Sequence, residues 1–127
     1  MSGKSAADLV AEAKARITNL SPGEVAAALA RGDVVIVDVR EPQERAERGA
    51  IPGSVLAQRG MLEFYADPTS PYHREEFDPD QPIILYCSAG GRSALAADTL
   101  QRMGYRQVAH LDGGFTAWQE QGLPVEG

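Results

Sequence analysis

The chain has 127 residues, 43% of them hydrophobic and 24% charged, with a net charge of −6. That length and balance suit one globular domain with a core of its own. The negative charge argues against nonspecific nucleic-acid binding and against an anionic membrane surface, and no apolar stretch approaches the roughly 18 residues that span a bilayer.

The segment Met1 to Asp8 lacks the apolar core of a signal peptide. Cys87 is the only cysteine, so no internal disulfide can form, and a reducing, cytoplasmic location is expected. Ala6 to Ile17 is Ala-rich, with Leu9, Val10 and Ala13 on one face, and reads as a helix. Residues 1–19 are taken as an N-terminal helical extension of a domain spanning 20–127. Ser21-Pro22-Gly23-Glu24 combines a capping Ser, a Pro at the first helical position and a Glu at the third. The helix it opens runs to about Arg31 and stops at Gly32.

Val34 to Val37 is a continuous β-branched run, apolar on both faces, and predicts a central parallel strand. Asp38, Arg40 and Glu41 follow it and read as a polar network at the strand end. A short helix from Pro42 to Arg48, a turn over 49–53 and a short strand at Ser54–Leu56 come next. Residues 60–82 are the least regular part. Gly60 to Tyr65 could hold one or two helical turns, and Pro68, Pro71, Pro79 and Pro82 then break the chain repeatedly. A loop this long in a small domain suggests a functional segment or a lid. Arg59, His73 and Arg74 lie in or beside it, and Arg59 is the best of them for substrate contact. His73 is a weaker candidate for a general base.

Ile83 to Tyr86 is a second buried strand. Cys87 follows directly, then Ser88-Ala89-Gly90-Gly91-Arg92, then a helix over about Ser93–Met103 that Gly104 ends. Val108–Leu111 is a third strand, and Asp112-Gly113-Gly114 turns into a last helix, Phe115–Gln121, whose Trp118 reads as core packing. Alternating helices and buried strands predict an α/β fold with a mostly parallel sheet of about five strands and helices on both faces.

The Cys87 turn carries the chemistry. A lone cysteine after an apolar strand is often a small buried hydrophobe. A core strand, however, has no need of Gly-Gly-Arg at its carboxyl end, which is the ligand edge of a parallel sheet. Backbone N–H groups in such a turn can converge on an anion, aided by the helix dipole, and a thiolate is an anion. Gly90 and Gly91 are expected to let the backbone curl at positive φ. Arg92 is the only charged residue from Gln81 to Ala97, so the local field reads as positive. The spacing of Cys87, His73 and His110 predicts no metal site, and no cofactor is expected.

These elements resemble the single-domain rhodanese-like sulfurtransferases over about Leu20 to Pro124. The motifs are Val37-Asp38-Val39-Arg40-Glu41, Gly49-Ala50-Ile51-Pro52-Gly53-Ser54, Tyr86-Cys87-Ser88-Ala89-Gly90-Gly91-Arg92-Ser93 and Leu111-Asp112-Gly113-Gly114-Phe115 with Trp118. Ala50 stands where the family often has a histidine. The resemblance implies a Cys87 nucleophile that takes a sulfane sulfur from a small anionic donor such as thiosulfate. It then yields that sulfur to cyanide, a thiol or a protein acceptor. It also implies a substrate cradle made by Ser88, Ala89, Gly90, Gly91, Arg92 and Ser93. Ser88 and Ser93 could donate hydroxyls to the sulfur, Ser93 doubling as a helix cap, and the Arg92 fork would bind donor oxygens. The rival readings are a phosphatase or arsenate reductase of related fold and a non-enzymatic partner-binding module. The related phosphatases have a longer loop between cysteine and arginine, and inactive modules typically lose the cysteine.

Overall fold

Period-two alternation along the buried strands decides the layering. In β4 (Ile83–Tyr86), Ile83 and Leu85 face one side with Cys87 beyond them, while Ile84 and Tyr86 face the other. Both sets are buried, as expected of a central strand in a parallel sheet. The structure, a computed structural model, describes residues 3–127; Met1 and Ser2, part of the predicted N-terminal extension, lie outside the described residues.

The other strands are β1 (Thr18–Leu20), β2 (Val35–Asp38), β3 (Val55–Leu56) and β5 (Val108–Leu111). All five run parallel in the order β1-β5-β4-β2-β3. Helices α4 (Leu62–Ala66) and α5 (Gly91–Arg102) cover one face, where Val37, Leu85, Leu62, Ala96 and Leu100 pack together, and α1 (Ala6–Arg16) packs on α5. Helices α2 (Pro22–Arg31) and α6 (Gly114–Glu120) cover the other, over Val25, Ile36, Tyr86, Phe115 and Trp118. The predicted α/β sheet with helices on both faces is thus the fold observed. Among the described residues no helix is long and apolar enough to cross a membrane.

Strand β1 is an addition that the pattern does not signal. It has three residues, one of them the polar Asn19, and it sits at the sheet edge against β5. The N-terminal segment is docked rather than loose. Arg16 holds Asp98 of α5 through two hydrogen bonds of 3.0 and 2.7 Å, and Ala13 is buried.

The long 60–82 segment is also tied down. A 3-10 turn at Arg59–Met61 leads into it, followed by helix α4 and then irregular chain. Phe77 is buried and stacks on Tyr65, and the Tyr105 hydroxyl donates to the carbonyls of Ala66 and Phe77. Arg74 donates to the Leu56 carbonyl at 2.7 Å, and His73 pairs with the Phe77 carbonyl. Both residues therefore brace the segment.

The sheet leaves a switch point between β2 and β4. The connection from β2 runs one way to β3, and the connection from β4 runs the other way to β5. By the general rule for open α/β sheets, the crevice expected between their carboxyl ends is the ligand site. The β2 end is stiffened by a polar network that includes Asp38 and Arg40 as expected, but not Glu41, which is exposed and donates its amide to Glu44. Arg40, 0% exposed, grips Asp38 at 2.9 and 2.8 Å and donates to the Gly49 carbonyl at 2.7 Å. Arg45, from α3 (Pro42–Arg48), reaches the same carboxylate at 3.1 Å. One guanidinium nitrogen of Arg40 has no hydrogen-bond partner. The Phe115 and Tyr86 rings, centred 4.5 and 5.4 Å from the guanidinium carbon, stand against it instead.

We predict that Asp38→Ala, which leaves Arg40 buried without its counter-charge, costs about 3–5 kcal/mol in urea unfolding. Replacing Arg40 by Met in the same chain should recover part of the loss. A cost below about 1 kcal/mol would place this pair with weak surface bridges.

Candidate active site

Cys87 leaves β4 at the switch point and is 1% exposed. Gly90 is the N-cap residue of α5 and offers no side chain to cap it. The sulfur takes that place. Its Sγ accepts the Gly90 N–H at 3.1 Å and the Ser93 N–H at 3.4 Å, and lies 3.5 Å from Ser93 Oγ. Two orphan amides at a helix start are thus satisfied by sulfur, at the positive end of the helix dipole.

The two glycines of the turn have different roles. Gly90 sits at φ +107, and a Cβ there would press on the Gly113 amide at 3.2 Å. Gly91 has no positive φ, contrary to the expectation, and a Cβ there would meet only Val10 at an ordinary 3.7 Å. The turn needs one left-handed residue, because α5 begins immediately after Gly90. Ser93 stands at the third helical position rather than the cap. Ala89 is exposed at the loop tip.

The Arg92 guanidinium is engaged within the protein. It forks onto Glu44 of α3 at 2.7 and 2.9 Å, across the crevice. Ser88 donates its hydroxyl to the same carboxylate at 3.1 Å, not to the sulfur. The Glu41 amide adds a third donor at 2.8 Å. Arg92, above all through its hydrogen bonds, holds the Glu44 carboxyl down at about 2. The positive field inferred from the local sequence is therefore balanced by a residue 48 positions away in the chain. Sequence reasoning did not single out Glu44; its place two residues after Pro42 in the opening turn of α3 is the one local signal. Arg59 is not brought to the loop by any hydrogen bond among the described residues. It pairs with Glu63 at 2.9 Å and Thr99 at 3.2 Å.

His110 was also missed as a site residue. It is 0% exposed on β5, with Nδ1 2.9 Å from Ser93 Oγ and Nε2 2.8 Å from Asn19 Oδ1 of β1. Burial pushes it down to about 4 from an ordinary 6.5, with Asp112 opposing and Lys14 adding to the fall. The signal in the sequence was a histidine inside an apolar strand, which must find partners. Helix α6 supports the turn from below. Phe115 and Thr116 donate their amides to the carbonyls of Cys87 and Ser88 at 2.8 and 3.0 Å. A Cβ on Gly114, at φ +65, would run into those carbonyls.

We predict two steps of acid destabilisation. Above about pH 6.5 His110 is neutral in both states. From there down to about 4 the unfolded chain takes a proton that the folded protein refuses, so stability falls with pH. Glu44, ionised in the fold down to about 2 against an ordinary 4.5, adds a second loss below the first. Urea midpoints of His110→Asn should be flatter across the upper window. An unchanged slope there would clear His110 of this role.

The comparisons with known proteins agree with the geometry. The Rhodanese-like domain family model matches residues 21–121. The chain is 40% identical over 92 residues to the thiosulfate sulfurtransferase GlpE of Pseudoalteromonas translucida, covering 72% of this chain and 78% of that one. It is 34% identical over 93 residues to a sulfurtransferase of Allochromatium vinosum, covering 73% and 78%. Among solved structures, a Rhodopseudomonas palustris protein of unknown function, described as a possible tyrosine phosphatase, superposes with a TM-score of 0.94. It is 44% identical, with 99% of this chain and 97% of that chain covered. With its family match, its sulfurtransferase relatives and its cysteine at the head of α5, this chain belongs to the rhodanese-like domain family.

Proposed function

We propose that the protein is a sulfurtransferase that carries a sulfane sulfur on Cys87. The observation behind this reading is the sulfur seated at the start of α5 with two amides on it. As Cys87 attacks the outer sulfur of a donor such as thiosulfate, the donor S–S bond breaks and sulfite leaves with its electron pair. The new terminal sulfur of the Cys87 persulfide carries negative charge, which the same amides and the helix dipole favour. A thiophilic acceptor, cyanide or a thiol, then attacks that terminal sulfur and Cys87 departs as thiolate. Neither step needs a metal or an external oxidant.

Arg92 and Glu44 set the terms for an oxyanion. The Arg92 fork meets donor oxygens only by giving up part of its hold on Glu44. A phosphatase reading has one support, the description given to the R. palustris relative. The short loop between Cys87 and Arg92 speaks against it, because the related phosphatases carry a longer loop there. Turnover of p-nitrophenyl phosphate would revive it.

The decisive experiment is intact-protein mass spectrometry after exposure to thiosulfate. A gain of one sulfur, removed by reductant and absent in Cys87→Ser, is expected; no gain would refute the carrier role. Cys87→Ser should also abolish thiosulfate-to-cyanide transfer while keeping the fold. Arg92→Ala should lower kcat/KM for thiosulfate by about ten- to a hundredfold, and Arg92→Lys should rescue it in part.

A further inference from the structure

Cys87, Ser93 and His110 are all buried, whereas Asn19 is exposed. The four form a single file from the sulfur toward the surface. Its hydrogen-bond directions can be read from one end. The Asn19 Nδ2 group faces two carbonyls, of Lys14 at 3.0 Å and Ile17 at 3.4 Å, which fixes the amide with Oδ1 toward His110. An oxygen acceptor there requires a proton on His110 Nε2. In the neutral ring Nδ1 is then an acceptor, and the Ser93 hydroxyl, 2.9 Å away, donates to it. The Gly90 carbonyl, at 3.4 Å, is the poorer alternative for that hydroxyl. With its proton committed to Nδ1, Ser93 Oγ turns its lone pairs to the Cys87 thiol at 3.5 Å. The file thus points one way, from S–H to O–H to imidazole.

We propose that His110 is a positioning residue that accepts the Cys87 proton through the Ser93 hydroxyl as the sulfur attacks its donor. This rests on Cys87 being the nucleophile. The Cys87 S–H bond breaks as a new O–H forms on Ser93, and the original Ser93 O–H breaks as N–H forms on Nδ1. Cys87 gains the electron pair for its new S–S bond, and His110 becomes an imidazolium. His110 then gives that proton up to solvent, and after Cys87 leaves as thiolate in the second step a proton from solvent restores the resting thiol. The need for such a path follows from burial: a cysteine 1% exposed has little water at hand to take its proton. The resting ring is neutral at neutral pH, which is the form able to accept. The titratable groups facing it are Cys87 beyond β4, Asp112 after β5, and Lys14 of α1, the last two paired at 2.7 Å. Strand β1 and helix α5 present the neutral Asn19 and Ser93.

The test is the rate of Cys87 alkylation by iodoacetamide across pH, a readout that needs no sulfur transfer. It therefore separates failure of this proposal from failure of the proposed activity. In His110→Asn the new side chain can still accept the Ser93 hydroxyl but is not basic. General-base help is commonly worth 10²–10⁴; for so weak a base, His110→Asn should slow alkylation at neutral pH by about tenfold, with the rates converging in alkali. Ser93→Ala should do the same. Superimposable profiles, an even slowing at every pH, or a loss in His110→Asn that Ser93→Ala does not share would each overturn the proposal. Should a variant fail to fold, the ring-nitrogen chemical shifts of His110 in the parent protein decide. A neutral Nε2–H tautomer at neutral pH is required, and an imidazolium or an Nδ1–H tautomer would refute it.

Discussion

The Cys87 turn depends on a close approach between two backbones. At the end of β4 the carbonyls of Cys87 and Ser88 run past the last strand pairing and need donors. The first turn of α6 has amides with no helical acceptor. Each set satisfies the other, through Phe115 and Thr116. This fit requires a residue without a side chain at position 114. Because those carbonyls are served by α6, the Gly90 and Ser93 amides are left to the sulfur. The Gly-Gly pair after β5 is therefore part of the site, although it lies more than twenty residues from Cys87 in the chain.

Charge in the crevice is arranged in two tiers. Below, Asp38 is shared by Arg40 and Arg45, and aromatic faces take up the remaining edge of Arg40. Above, Glu44 collects Arg92, Ser88 and the Glu41 amide. Helix α3 contributes to both tiers, through Arg45 and Glu44. It couples the end of β2 to the Cys87 loop, so a shift of α3 would move the only arginine of that loop.

Much of this was legible in the sequence. Unbroken apolar runs at Val35 and Ile83 announced central strands, and Ser21 with Glu24 announced a capped helix that formed as expected. The strand–Cys87–turn–helix order and the network at Asp38 and Arg40 were also readable, since both depend on near neighbours. What escaped was long-range. Glu44 meets Arg92 across 48 positions, and His110 meets Asn19 across 91. No local pattern marks such pairs, because only the strand order β1-β5-β4-β2-β3 brings them together. The edge strand β1 escaped for a related reason. Three residues at a sheet edge carry too little apolar pattern to announce themselves.

Cys87 is the sole cysteine of the chain, and it is buried. A persulfide formed there would find no second thiol in the chain to collapse upon, so an internal disulfide could not end the cycle. Discharge would be bimolecular, and the loaded form would last as long as acceptors stayed scarce. The chain would then behave as a reservoir whose emptying rate reports the concentration of whatever thiophile can reach the crevice.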